Sequence, residues 1–404
     1  MGIKDFYEII KSECPEAMTT VHLDDLTGMK VAVDISIFLN KYVKTSGPER
    51  WLKSFLILMC TLKHHGIKPI CIFDGPNPPK EKKEEQERRR SEAAKSREKI
   101  KYGRTLIKKI RALRDTKEEL TEEIIQEVKD LIGPQRGKRI NAINYLDIYD
   151  VFASLNDAID KREMQNQPIL PEYSLHAKEL IEIMGFPYYQ ATGEAETLCA
   201  SMCIMKKVDA VLGEDTDVMA YGTPFTLTKL DIKEKTLCLI SHEVILSTLE
   251  FSHEEFLDLC ILLSCDYNDR AKGYPPDGKK RKKPVGLGAK GAFCMIKEYR
   301  RLEESENHIV NPDVLNYRRC RELFTAPLDI DIQIPYTKPI QKEKLQEFII
   351  KHKIGISMDY VLENYKPTPI SFGGATTSAK ASNIKARVND GKREAKKLHV
   401  TFDN

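Results

Sequence analysis

Four short runs of β-branched and apolar residues read as buried strands: Lys30 to Val33, Pro69 to Phe73, Val208 to Leu212 and Thr236 to Ile240. Between them the apolar positions recur at helical spacing. Trp51, Phe55, Leu58, Met59 and Leu62 mark a helix over Trp51 to Lys63, and His176 to Met184 forms a second that stops at Gly185. Glu194 to Lys206 is a third, and Ser252 to Ser264 a fourth, opened by Ser252 and Glu255 at the spacing with which each side chain satisfies the other's backbone N–H. Strands interleaved with helices predict an α/β fold with parallel pairing and a sheet covered on both faces.

From Phe73 to Pro171 the pattern changes to a helix-prone, highly charged stretch, too long for an ordinary connection. Its first part, Lys80 to Arg114, holds 15 Lys/Arg against 6 Asp/Glu, and Asp115 to Asp130 then turns acidic. The whole chain carries a formal net charge of only +3, from 64 Lys+Arg against 61 Asp+Glu, so any attraction to a polyanion rests on this segregation. A second basic run, Lys279, Lys280, Arg281, Lys282 and Lys283, precedes the glycine pair Gly286-Leu287-Gly288, and the stretch from Ser371 reads as a disordered basic tail.

The ten cysteines show no zinc spacing, and several lie in apolar stretches, which predicts free thiols in a reducing, intracellular setting and no structural zinc. Apolar runs such as Phe55 to Cys60 are too short to cross a membrane, so a soluble protein is expected. Met1-Gly2 lacks the Ser or Thr that myristoylation wants at the sixth position, which is Phe6.

The acidic residues carry the chemistry. Asp34 ends Lys-Val-Ala-Val-Asp, Asp74 ends Cys-Ile-Phe-Asp, and Asp215 and Asp217 follow Ala-Val-Leu-Gly-Glu, all at carboxyl ends of predicted strands, the edge where open parallel sheets bind ligands. Glu194 and Glu196 fall in the first turn of a helix after Gly193, and Asp266 follows the apolar helix Phe256 to Leu263. Glu194 and Glu196, two apart, do not share a helix face and would flank something between them. Clustered carboxylates need cations, and ligands offering only oxygen point to Mg2+ or Mn2+. Two such ions about 4 Å apart suit in-line displacement at a phosphodiester.

These residues resemble the flap endonuclease and XPG-type structure-specific 5′ nucleases. The likeness runs through Met1-Gly2-Ile3, Val31-Ala-Val-Asp34-Ile-Ser36, Ile72-Phe-Asp74-Gly75, Gly193-Glu194-Ala-Glu196, Glu214-Asp215-Thr-Asp217, and Asp266-Tyr267 followed by Gly286-Leu-Gly288, in the family's order. It implies a PIN-like twisted, mostly parallel sheet flanked by helices, with a helical arch and a helix-two-turns-helix DNA-binding element. It implies an Mg2+-dependent 5′ flap endonuclease and 5′-3′ exonuclease acting in replication, repair or recombination. Asp34, Asp74, Glu194 and Glu196 would serve one ion and Asp215, Asp217 and Asp266 the other, with Mn2+ able to substitute and room for K+ at the helix-two-turns-helix element. Asp215 is also counted with the catalytic residues.

The family's Lys and Arg on the arch match Lys82 and Arg89, with Lys83 and Arg90 as the alternative pair; each pair is seven residues apart and so shares a helix face. Arg would grip the scissile phosphate with two prongs and Lys as a point charge. Gly2 would lie near the substrate, and Gly286, Gly288 and Lys290 would contact DNA at a helix start. The implied organisation is 1–100 nuclease, 101–170 an enlarged helical arch or cap, 171–260 nuclease, 261–365 helix-two-turns-helix and C-terminal helices, and 366–404 tail. The partner would be branched or flapped double-stranded DNA, the chain a monomer, and the setting a nucleus, a host's if the source is viral.

The sequence departs from the family at several points. The chain between Asp74 and Glu194 is longer than usual, and Asn40 stands where an aromatic often stacks on substrate, a role Phe38 is expected to share. Ser264 replaces a usual Gly, the run Lys279 to Lys283 is inserted, and no sliding-clamp docking motif ends the chain. A catalytically dead binder of branched DNA and an RNA-directed nuclease are the competing readings; seven retained carboxylates argue against the first, and the basic arch with the implied helix-two-turns-helix element against the second.

Overall fold

The computed structural model describes residues 2–133, 148–278, 283–328, 331–335 and 338–365. The basic residues Lys279, Lys280, Arg281 and Lys282 and the tail from 366 lie outside them. The chain divides into two compact units, one of Met1–Leu39, Leu52–Lys83 and Pro171–Asn404, the other of Asn40–Trp51 and Glu84–Leu170.

The first unit is built on a seven-stranded sheet: β1 Met18–His22, β2 Lys30–Asp34, β3 Lys68–Phe73, β4 Tyr188–Gln190, β5 Ala210–Leu212, β6 Phe225–Asp231 and β7 Thr236–Ser241, in the order β1-β7-β6-β5-β2-β3-β4. Four pairings, β2 with β3 and with β5, β3 with β4 and β5 with β6, are parallel. β2, β3 and β5 are almost wholly buried, as strands covered on both faces must be. The four strands expected from apolar runs are all present. β1, β4 and β6 were not expected, because their β-forming residues are largely polar or aromatic: Thr19 and Thr20, Tyr188 and Tyr189, Thr226 and Thr228. β7 runs antiparallel to both β6 and β1, so the sheet is mostly parallel, as expected.

The helices Trp51–His64, Pro171–Ile183, Ala195–Ile204 and His253–Leu263 form where periodicity placed them, and Ser252 and Glu255 make both bonds of the capping box. His253–Leu263 packs against the helix Ala289–Tyr299, and the chain between them forms a small ribbon of β8 Lys272–Gly273 with β9 Val285–Gly286. Gly288 is the N-cap of the second helix. Among the described residues no helix is long and apolar enough to cross a membrane.

The second unit has a core of its own. Leu106, Ile107 and Ile110 of the helix Lys80–Thr116 pack with Ile124, Val128 and Leu131 of Glu122–Ile132 and with Val151, Leu155 and Ile159 of Ile148–Gln165. Gly103 permits the closest approach: a Cβ there would lie 2.3 Å from Ile159 Cδ1. The boundary expected at residue 101 falls inside the uninterrupted helix Lys80–Thr116, whose length follows from a run of strong helix formers with no Pro and a single Gly.

Candidate active site

The carboxyl ends of β2, β3 and β5 deliver three acids by strand geometry alone: Asp34 is the last residue of β2, Asp74 follows β3, and Asp215 lies just past β5. Gly75 lets the next segment close on them. Its backbone N–H donates to the Gly193 carbonyl at 2.6 Å, and a Cβ at Gly75 would sit 2.0 Å from the Ala191 oxygen. That approach brings Glu194, the N-cap of the helix Ala195–Ile204, and Glu196 in its first turn to the same edge. The Asp74 carboxylate accepts the Ala195 N–H at 2.9 Å, so it satisfies the start of that helix from another element. Ser36 Oγ accepts the Asp74 N–H at 3.4 Å.

Asp34, Glu194, Glu196, Asp215 and Asp217 are buried, Asp266 is half-buried and Asp74 is exposed. Glu196, Asp215 and Asp217 each offer an oxygen within 4.8 Å of the others. Both oxygens of Asp217, a fully buried residue, lack a hydrogen-bond partner. Burial pushes the Asp34 carboxyl up to about 8, with the charges of Asp74 and Asp215 adding to it. Glu196 and Asp217 stand well above the ordinary carboxylate range, first from burial and then from their acidic neighbours, and Asp215 is raised for the same reason against the pull of Lys82. An arrangement whose buried anions repel one another and leave oxygens unpartnered is costly unless cations complete it. All the donors are oxygens, and ligand oxygens around one hard cation lie within about 4–5 Å of each other. The residues present therefore fit a divalent metal, and Glu196, Asp215 and Asp217 form its tightest nucleus.

Lys82, in the first turns of the helix Lys80–Thr116, reaches into this cluster. Its Nζ is 2.8 Å from Asp266 Oδ2, 2.9 Å from Glu194 Oε1 and 3.9 Å from Glu196 Oε1. Burial alone would lower its pKa, but the charges of Glu196, Glu194, Asp266 and Asp217 outweigh burial and hold the ammonium. Lys83 is exposed, so of the two alternative lysines Lys82 is the one among the acids. Arg89 is half-buried and gives Nε to Glu85 at 2.7 Å, while Arg90 is exposed.

Gly2 closes the site from the amino end. It adopts φ +84°, a conformation open to glycine, and a Cβ there would meet Asp215 Oδ1 at 1.9 Å and the Asp217 nitrogen at 2.9 Å. The Thr216 hydroxyl donates to the Ile3 carbonyl at 3.3 Å, and the Lys4 N–H donates to the Ser264 carbonyl at 2.9 Å. Ser264 has φ +79°, which accounts for a glycine preference at this point.

One expectation is corrected. Phe38 is fully buried in the core, so its ring presents no face for a base to stack on; Asn40, two residues on, is half-buried. Gly286 and Lys290 are exposed and Gly288 half-buried, all beside the start of the helix Ala289–Tyr299. Sequence reasoning gave Tyr267 no role, yet its hydroxyl donates to Glu194 and lies 3.5 Å from Glu196 Oε1, orienting both. Its position directly after Asp266 was the available signal.

Comparison with known proteins agrees with this geometry. The XPG N-terminal domain matches residues 1–96 and the XPG I-region residues 185–266. The chain is 28% identical to Flap endonuclease 1 of Lachancea thermotolerans over 381 residues, 87% of this chain and 82% of that protein. It is 29% identical to Flap endonuclease 1 of Meyerozyma guilliermondii over 390 residues, 89% of this chain and 87% of that one. The fold is shared with the catalytic core of Rad2 in complex with DNA substrate, at TM-score 0.57 and 16% identity, covering 90% of this chain and 98% of that one.

Proposed function

We propose that this chain, which belongs to the flap endonuclease and XPG-type nuclease family, is a structure-specific DNA endonuclease with 5′ exonuclease activity that hydrolyses phosphodiester bonds in flapped or branched DNA. The observation that carries the reading is the convergence of buried carboxylates, with the Asp217 oxygens unpartnered, at the carboxyl edge of a parallel sheet.

Asp34, Asp74, Glu194, Glu196, Asp215, Asp217 and Asp266 would hold two Mg2+ ions, with Mn2+ able to substitute. Bound there, the metal would supply an activated water and charge stabilisation for an in-line displacement at phosphorus. Tyr267 orients Glu194 and Glu196 through its hydroxyl. Lys82 carries a fixed positive charge to the same place, suited to a phosphate oxygen as negative charge builds on it. Arg89 is assigned to the same phosphate from its seven-residue spacing, which repeats the helix face. Gly2 excludes side-chain bulk beside Asp215, leaving room for backbone and substrate. Gly286, Gly288 and Lys290 are assigned to the duplex. The products would be a 5′-phosphate and a 3′-hydroxyl, and a nuclear setting follows from the family.

End-labelled flap, nicked, bubble and single-stranded DNA in Mg2+, beside Asp215→Ala and an EDTA control, test this. Flap cutting that needs both the metal and Asp215 supports the reading; tight flap binding by the wild-type protein without cutting in Mg2+ overturns it.

A further inference from the structure

The first residues of the chain touch three parts of the site in succession. Gly2 lies against Asp215 and Asp217, and Lys4 binds Ser264 twice, through its N–H to the carbonyl at 2.9 Å and through Nζ to Oγ at 3.1 Å. Ser264 is two residues before Asp266. Asp5 then accepts from Arg270 Nη2 at 2.6 Å, with both side chains about one-third exposed.

Asp5 is an unusual residue for its position. It is the N-cap of the helix Phe6–Glu13, where an Asp ordinarily turns its carboxylate onto the first free N–H groups. Here it takes φ 56°, in the left-handed region, and makes no side-chain cap. The carboxylate is given to Arg270 instead. The Arg270 side chain in turn runs along the glycine turn: a Cβ at Gly286 would lie 3.8 Å from Arg270 Cδ, and one at Gly288 would lie 3.7 Å from Asp5 Oδ2 and 3.9 Å from Arg270 Nη1. The guanidinium therefore stands beside the N-cap of the helix Ala289–Tyr299, with donors beyond the one given to Asp5.

We infer that Arg270 contacts a backbone phosphate of the duplex and that Asp5 is a positioning residue, which ties that contact through the segment Gly2–Asp5 to the carboxylate cluster. The inference rests on the DNA-nuclease reading above. The ion pair fixes the distance between the place where the duplex is gripped and the place where it is cut. The two residues consequently have separable effects. Arg270 contributes to binding, whereas Asp5, being anionic, contributes nothing attractive to a phosphate and acts on geometry alone.

The experiment compares wild-type protein, Asp5→Asn, Arg270→Gln and the double variant on a 5′-flap duplex. Affinity is measured in EDTA over a range of salt, and single-turnover rate and cut position are measured in Mg2+ at saturating protein. Asn adopts the left-handed backbone readily, so Asp5→Asn should melt like the wild type and isolate the lost charge. Arg270→Gln should weaken binding several-fold and reduce the log–log salt slope by about one phosphate contact. Asp5→Asn should bind at least as tightly as wild type, yet cut roughly 10- to 100-fold more slowly at saturation and at scattered positions. The double variant should cut no worse than Arg270→Gln alone, since the link is already broken.

Wild-type rate and cut position in Asp5→Asn, or rate losses that simply multiply in the double variant, would overturn the link. An unchanged salt slope in Arg270→Gln would remove the phosphate contact. If the wild-type protein neither binds nor cuts flap DNA, the nuclease reading fails first and is recognised by that control.

Discussion

Asp217 and Lys82 occupy one cluster with opposite charge, and their substitutions should part company in stability while agreeing in activity. Asp217 is a buried carboxylate without hydrogen bonds, surrounded by Asp215 and Asp266. Asp217→Asn removes a carboxylate that burial, Asp215 and Asp266 disfavour more than Lys82 favours it, so in EDTA the variant should be more stable by about 1–3 kcal/mol. On the proposed reading its flap cleavage should fall about 100-fold, because the metal site would lose an oxygen donor. Lys82→Ala should also cut about 100- to 1000-fold more slowly. In EDTA, however, it should be less stable than wild type, since Asp266 and Glu194 lose the ammonium they share. Thermal melts in EDTA beside single-turnover assays in Mg2+ check both signs. At this scale the acids were legible because strand ends and a helix start are sequence features. Tyr267 was not, because its role depends on a hydroxyl reaching Glu194 across 73 positions of sequence. Phe38 falls on the apolar stripe Ile35, Phe38, Leu39, Tyr42 and Val43 of the helix Ile35–Ser46, a spacing that marks a core face, and that face is buried.

Among the elements, helix starts and close packings make the sharpest predictions. His242 begins the helix His242–Leu249, buried against the ring of Phe256, with Nε2 3.2 Å from His253 Nδ1. Burial, with the proximity of His253, lowers its pKa to about 3. The sign follows from proton counting: between about 3 and the unfolded value near 6.5 the unfolded chain binds the extra proton, so the stability His242 contributes is complete above about 6.5 and is lost as pH falls toward 3. His242→Gln should therefore flatten the acid limb of stability against pH by about 1.4 kcal/mol per pH unit in that window; urea titrations of both proteins between pH 4 and 6.5 would show parallel limbs if the imidazole does not matter. In the second unit, Gly103 sits where a Cβ would press on Ile159, so Gly103→Leu should destabilise that helical core by about 1–3 kcal/mol. Hydrogen exchange should show the loss in Glu122–Ile132 and Ile148–Gln165 and leave the sheet unchanged. The capping box at Ser252 was readable from two residues, whereas β6 was missed because Thr226 and Thr228 score as polar while packing as β-branched side chains.

For the molecule as a whole, the central parallel strands were legible because burial on both faces forces continuous apolar runs, and a ligand edge follows from their direction. The antiparallel β1–β7–β6 side was less so, since such strands need less apolar sequence. A net charge of +3 conceals the basic segment Lys80 to Arg114, which sequence order alone revealed. The central claim is that this edge cuts DNA through metal held by the carboxylates. The most direct measurement is single-turnover cleavage of a 5′-flap duplex by wild-type protein and Asp217→Asn, in Mg2+ and in EDTA, with binding followed in the same samples. The account predicts that both proteins bind the flap and that only the wild type in Mg2+ cuts it. Equal cutting by Asp217→Asn, or cutting that persists in EDTA, would contradict it.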